Sequence, residues 1–214
     1  MLMRMLTKKK LEIILSKLKD IEKPNPELEQ YTIPSDLAAE VLNIAYLSGN
    51  IEEKVILDLG CGSGRLTIGA ALIGAKKVMG VDMDKRAIEI TKENIKNISD
   101  TTNIKIQKKI ELFCMDVSKW KRRVDTVIQN PPFGIQKLHA DRVFLKKALE
   151  SAKNIYSLHR HYEKSREFLV KFIEKNGGQV GKIIKFKFRI PYMFKFHKKP
   201  YVRYEVDLFI ISRV

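Results

Sequence analysis

Val55-Ile56-Leu57-Asp58-Leu59-Gly60-Cys61-Gly62-Ser63-Gly64 reads as a short buried strand running into a glycine turn, and Leu66, Ile68 and Ala70 open a helix behind it. Glycine lets a backbone turn sharply and approach a ligand closely, because no Cβ stands in the way. Twenty-two residues beyond Gly60, at the end of the next apolar run, stands Asp82, placed to accept hydrogen bonds from ribose hydroxyls. Strand, turn, helix and acidic strand end together imply a nucleoside-binding βαβ unit.

The same turn also serves a dinucleotide, or a strand-to-helix corner with no ligand at all. A dinucleotide turn spaces its third glycine so that helix and strand close over a pyrophosphate. Here Gly60, Gly62 and Gly64 alternate and the long Arg65 follows. Asp58 is placed for the cationic amino-acid end of S-adenosylmethionine, with Cys61 and Ser63 in the turn beside it. Met83 is placed to pack on an adenine face, and Asp116, with Val117 next to it, to accept from the adenine amine. Taken alone, Met83 reads as core filler and Asp116 as a turn residue.

From Lys54 onward short apolar runs alternate with amphipathic helices, the pattern of a parallel α/β sheet. Strands are expected near Lys54 to Leu59, Lys77 to Val81, Ile110 to Met115, Val124 to Gln129, Asn154 to Leu158, Gln179 to Ile190 and Val202 to Ile211. The last two lack a helix between them, which predicts an antiparallel hairpin. Toward the N-terminus, Leu11, Ile14, Leu15, Leu18 and Ile21 recur at helical spacing until Pro24 and Pro26, predicting one amphipathic helix. A second helix is predicted to be capped by Ser35, to bury Leu37, Val41, Leu42 and Ala45, and to stop at Gly49. The chain is read as one domain, a core over 51–214 with a helical extension over 1–50.

The fourth strand ends in Asn130-Pro131-Pro132-Phe133-Gly134, at the carboxyl edge where open α/β sheets bind ligands. Prolines fix the backbone and remove donors, leaving carbonyl oxygens to face the site. An aromatic exocyclic amine is a poor nucleophile because its lone pair is delocalised into the ring. An enzyme that alkylates it must accept hydrogen bonds from its hydrogens while aligning its nitrogen with the donor. The Asn130 side-chain oxygen and the Pro131 carbonyl suit that task, Pro132 stiffens the turn, and Phe133 is placed to stack on the base. A stacked base cannot reach such a loop, so the substrate is single-stranded or flipped out. In isolation these residues read as a rigid turn, and similar loops act on guanine 2-amino groups and glutamine amides.

Lys and Arg number 41 against 25 Asp and Glu, a formal charge of +16 that favours a polyanionic partner. Apolar residues make up 44% and charged residues 31%, a balance unlike that of a disordered chain. The two cysteines, Cys61 and Cys114, fit a reducing cytosol, and no Cys/His cluster has metal-ligand spacing. No stretch reaches the ~20 apolar residues of a membrane span.

These motifs resemble the methyltransferase-like 5 family of small-subunit ribosomal RNA adenine-N6 methyltransferases, found in eukaryotes and archaea. The resemblance extends to Leu28-Glu29-Gln30-Tyr31, Tyr156-Ser157-Leu158-His159, Lys195-Phe196-His197-Lys198-Lys199 and Glu205-Val206-Asp207-Leu208. It implies a Rossmann-like class I methyltransferase sheet of order 3-2-1-4-5-7-6, S-adenosylmethionine as donor, and Asn130 to Phe133 as the catalytic loop. It also implies Gln30 as a cofactor residue, in a segment that folds over the cofactor. Two positions depart from the family: Ile33, where a threonine is usual, and Arg65, where a smaller or apolar residue is usual. A small zinc-binding activator pairs with the third-strand edge in eukaryotic members, which implies a similar partner near Ile110 to Met115.

Between Lys182 and Arg203 there are eight Lys or Arg residues, no Asp or Glu and six aromatics. Alternation turns Ile184, Phe186, Phe188 and Ile190 to the core and Lys185, Lys187 and Arg189 outward, where they are expected to bind RNA. The hairpin tip, Tyr192 to Lys199, offers Phe194 or Phe196 for stacking and Lys195, His197, Lys198 and Lys199 for RNA phosphates. Three rival readings remain: a glutamine-amide protein methyltransferase, a guanine-N2 RNA methyltransferase, and an RNA-binding ribosome assembly factor with a vestigial site.

Overall fold

The computed structural model describes residues 6–102, 104–133, 140–191 and 201–213, with only the backbone described at 188–191 and 201–204. Strands β1 (Val55–Leu59), β2 (Lys77–Asp82), β3 (Ile110–Cys114), β4 (Val124–Gln129), β5 (Ala152–Arg160), β6 (Gly178–Pro191) and β7 (Tyr201–Arg213) form one sheet in the order β3-β2-β1-β4-β5-β7-β6. Strands β1 to β5 run parallel, and β7 pairs antiparallel with both β5 and β6. Helices α1 (Lys8–Ser16), α2 (Ser35–Leu47), α3 (Arg65–Leu72), α4 (Lys85–Thr102), α5 (Ala140–Ser151) and α6 (Glu163–Lys175) cover the two faces.

Alternation along each strand divides the core in two. Ile56, Val78, Ile128, Tyr156 and Leu208 pack with α1, α2 and α3 and with Ile95 and Ile98 of α4. Leu57, Met79, Val127, Ile155 and Phe209 point the other way, onto Leu145 and Leu149 of α5 and Leu169 and Ile173 of α6. With both faces covered, the inner strands carry apolar residues at successive positions, as in Val55-Ile56-Leu57 and Val127-Ile128. The Tyr156 hydroxyl is satisfied inside this core by Asn50 Nδ2 at 2.8 Å.

Two predictions for the N-terminal region are corrected. Helix α1 stops at Ser16, although Leu18 and Ile21 stay buried as the pattern demands. The cause is Asn94 of α4, which donates to the Lys19 carbonyl (3.0 Å) and accepts from the Lys19 amide (2.9 Å). A continuing helix would withdraw both groups. In α2, Pro34 occupies the cap and Ser35 is the first helical residue, with no side-chain cap bond. Gly49 lies in the left-handed region (φ 72°), just past the end of α2.

Candidate active site

Parallel register brings the strand ends together. Leu59 pairs with Val81 on one side and Gln129 on the other, so the turns that follow, with Gly60, Asp82 and Asn130, emerge side by side. This is the point where strand order reverses about β1, the crevice in which such sheets bind ligands.

The glycine turn is built backbone-first. Gly60, Gly62 and Gly64 have φ of 74°, 54° and 85°, conformations that favour glycine. Helix α4 then fastens it: Thr91 Oγ1 donates to the Gly62 carbonyl (2.8 Å) and Asn94 Nδ2 to the Ser63 carbonyl (2.9 Å). A Cβ on Gly64 would lie 2.6 Å from Thr91 Cγ2, so the third glycine serves contact with α4. Asp82 Oδ2 accepts from Gly62 N (2.9 Å) and Oδ1 from Asp84 N (2.9 Å), and burial raises its pKa despite those bonds.

A cavity of about 400 Å³ opens over this turn, within the range of small-molecule sites. Asp58, Gly60, Cys61, Gly62, Ser63, Asp82, Met83, Asp116, Val117 and Gln30 all line it, together with Asn130 and Pro132. Pro131 is buried and Phe133 half-buried, and neither is on the cavity wall. Phe133 packs against the first core, its ring within 15° of parallel to Tyr31 and 6.5 Å from it. Asn130 Nδ2 donates to the Tyr31 carbonyl at 3.4 Å.

Asp58 is the sharpest electrostatic feature. Its Oδ2 accepts from Thr67 Oγ1 at 2.7 Å, whereas Oδ1 is buried with no partner among the described residues. Burial pushes its pKa up to about 7, against the lowering effect of the Thr67 bond. A buried acceptor without a donor is costly, and an ammonium delivered into the cavity would satisfy it. Asp82, at the far side of the turn, keeps second lone pairs for hydroxyl donors. The residues therefore fit a nucleoside bearing a cationic amino-acid arm. Asp116 caps the short turn Val117–Lys119 by accepting from Ser118 N at 2.8 Å.

Sequence reasoning missed several participants. Arg65 lines the cavity but reaches to the N-terminal segment: its Nη1 donates to the Ile33 carbonyl (2.6 Å) and Nη2 pairs with Asp20 (2.9 Å). The two family departures are thus one contact, and Ile33 contributes its backbone and a buried side chain. Thr67, Asp84, Thr91, Asn94 and Phe144 were also unread. Their roles depend on contacts between elements distant in sequence, for which spacing offers no signal.

On the hairpin, Ile184 and Phe186 pack on the first core while Lys185 and Lys187 are exposed. Both ammonium groups meet Glu205 of β7, at 2.7 and 3.1 Å, and Lys185 foremost lowers the Glu205 pKa. The Arg189 side chain and Lys195, His197, Lys198 and Lys199 lie outside the described residues, as do Gly134, His139 and the rest of the tip. His159 is buried, which lowers its pKa to about 3, and it bonds Ser157 Oγ at 2.7 Å. His161 bonds Asp207 at 2.9 Å, and Arg166 joins the same carboxylate at 2.6 Å. Among the described residues no group of three or more metal-ligating side chains is found, and no helix is long and apolar enough to cross a membrane.

Comparison with known proteins agrees with this geometry. The ribosomal protein L11 methyltransferase (PrmA) family model matches residues 40–131, the part holding the glycine turn and Asn130 with Pro131. The crystal structure of PH1948 from Pyrococcus horikoshii, described as a candidate RNA methyltransferase, superposes with a TM-score of 0.88 at 43% identity, covering 100% of both chains. An uncharacterised protein of Methanocaldococcus jannaschii, MJ0284, is 41% identical over 98% of this chain and 96% of its own. The rRNA N(6)-adenosine-methyltransferase METTL5 of Danio rerio is 33% identical over 93% of this chain and 95% of its own. At that identity over nearly the whole of both chains, the chain belongs to the METTL5 family of rRNA N(6)-adenosine-methyltransferases.

Proposed function

We propose that the protein transfers a methyl group from S-adenosylmethionine to the exocyclic N6 of an adenine in ribosomal RNA, specifically in small-subunit rRNA. The observation that carries this reading is a single cavity with the unpartnered Asp58 oxygen and Asp82 on one side and Asn130 with Pro132 on the other. Bound there, S-adenosylmethionine supplies an electrophilic methyl group on a sulfonium.

The chain's own residues do the rest. Asp58 receives the amino group of the methionine arm and Asp82 the ribose hydroxyls. With its NH2 turned to the Tyr31 carbonyl, Asn130 presents Oδ1 as the acceptor for one N6 hydrogen. Pro131 and Phe133 stand off the cavity wall and back the loop, Phe133 against Tyr31, so Asn130 is the acceptor that faces the base. Held this way, the amine keeps its lone pair on the donor's side. Alignment and fixed dipoles of this kind recover roughly 7 to 11 kcal/mol of a barrier. The proton released after transfer passes to water, so no strong base is needed.

Strand β3 is the outer strand of the sheet, and its residues are half-buried or exposed. An open edge invites strand addition, and we place a small zinc-binding activator there. Purified protein that is monomeric, stable and fully active alone would remove that partner. An rRNA substrate puts the enzyme in the cytoplasm.

The deciding experiment incubates the protein with methyl-labelled S-adenosylmethionine and either small ribosomal subunits or total RNA, then identifies the labelled nucleoside. N6-methyladenosine is the expected product. Labelled 2-methylguanosine, labelled protein, or RNA binding without label would each replace the proposal with a rival.

A further inference from the structure

The wall of the cavity is one-sided in charge. Among the described residues it carries the carboxylates of Glu27, Glu29, Asp58, Asp82 and Asp116, against a single Lys or Arg, which is Arg65. We propose, resting on the function argued above, that Arg65 receives the carboxylate of the methionine arm on its Nε–H, while Asp58 holds the ammonium borne by the same carbon. The position is one where the family usually has a smaller or apolar residue, so the assignment is particular to chains with arginine there.

S-adenosylmethionine carries two cationic groups, the sulfonium and the ammonium, and one anionic group. Acidic walls suit the first two and repel the third. An anion that leaves water for such a cavity needs a cation beside it, and Arg65 is the one this wall supplies.

Two buried atoms of opposite character point to the same ligand. Asp58 Oδ1 is an acceptor without a donor, and Arg65 Nε is a donor without an acceptor among the described residues. The rest of the guanidinium is engaged, Nη1 on the Ile33 carbonyl at 2.6 Å and Nη2 on Asp20 at 2.9 Å, and the side chain is only 10% exposed. Arginine cannot shed its charge, so a desolvated Nε–H without an acceptor is costly. One α-amino-acid zwitterion satisfies both orphans at once. Backbone adds to the pull: Arg65 is the first residue of α3, Gly64 precedes it, and no side chain caps the helix. The positive end of that helix dipole therefore lies at the same corner.

Holding the N-terminal segment is not a task that rests on Arg65 alone. Gln30 Nε2 donates to Asp84 Oδ2 at 2.9 Å, and Asn130 Nδ2 donates to the Tyr31 carbonyl at 3.4 Å. A variant at position 65 can thus lose the carboxylate contact while the segment stays over the cavity.

The test sets two ligands against two proteins by calorimetry. The ligands are S-adenosylhomocysteine and its decarboxylated analogue, which keeps the amine; the proteins are wild type and Arg65→Met. Wild type should prefer S-adenosylhomocysteine by roughly ten- to a hundredfold, the effect of a hydrogen bond to a charged group. In Arg65→Met that preference should largely vanish, with the analogue bound as tightly as by wild type. An undiminished preference, or none in wild type, overturns the proposal. So does equal weakening of both ligands, the result of a residue that only pins the segment. Where Arg65→Met does not fold, Arg65→Gln keeps a donor for the Ile33 carbonyl without the charge. It should lower the preference severalfold, and a preference equal to that of wild type overturns the proposal again. Wild-type protein that binds S-adenosylhomocysteine yet methylates no RNA counts against the function alone, whereas one that binds neither ligand removes the donor and this proposal with it.

Discussion

Asp58 shows how one buried carboxylate ties stability to ligand binding. Its folded-state pKa of about 7 lies above the ordinary 3.8, so between those values the empty folded protein keeps a proton that the unfolded chain has released. Stability of the cofactor-free protein should therefore fall as pH rises through that window and level off above it, as read by denaturant titration. The bound ammonium requires the carboxylate, so affinity for S-adenosylhomocysteine should rise with pH up to about 7 and then flatten, with proton release in calorimetry. At Asn130, replacement by alanine should leave that affinity intact while transfer falls by about a hundredfold or more, the loss typical of one preorganised polar group. Asp58, Asp82 and Asn130 were legible in the sequence because Asp58 interrupts an apolar run and the other two follow one. Tyr31 and Asp84 were not, because their partners lie far away in the chain and follow no period.

At the scale of elements, each of the seven expected strands is present, and most boundaries shift by only one or two residues. Buried parallel strands are short apolar runs between turns, which makes them easy to delimit. Helix α1 was overextended because apolar spacing reports burial, and burial continues at Leu18 and Ile21 after the helix has ended. The side chain of Asn94 decides where it ends. Gly178, the first residue of β6, marks another contact hidden from local pattern. A Cβ there would come within 2.6 Å of Leu149, 2.8 Å of Ile173 and 3.2 Å of Ile211, where α5, α6 and β7 converge. Gly178→Ala should destabilise the protein by roughly 1–3 kcal/mol through overpacking, a loss measurable by chemical denaturation.

For the whole molecule, the charge of +16 is not spread evenly over accessible cations. Lys185 and Lys187 share Glu205, which screens the outward face of β6, while the sequence from Lys182 to Arg203 holds no Asp or Glu of its own. Replacing Lys195, Lys198 and Lys199 with alanine should weaken RNA binding across sequences and lower the salt slope by about 2, near 0.7 per lost phosphate contact on a single strand. An unchanged slope would move the RNA surface elsewhere. The charge excess was plain from composition. Its partial cancellation across two antiparallel strands was not, because it depends on the Lys187–Glu205 register.

The sheet order has a bearing on biosynthesis. Because β7 sits between β5 and β6, the seventh strand in translation order fills an interior slot. While it is still being made, β5 offers an unpaired rim of amides and carbonyls, and β6 has no neighbour to join. The nascent chain therefore remains an open-edged intermediate, exposed to wrong pairing and to chaperones, until residue 213 has cleared the ribosome.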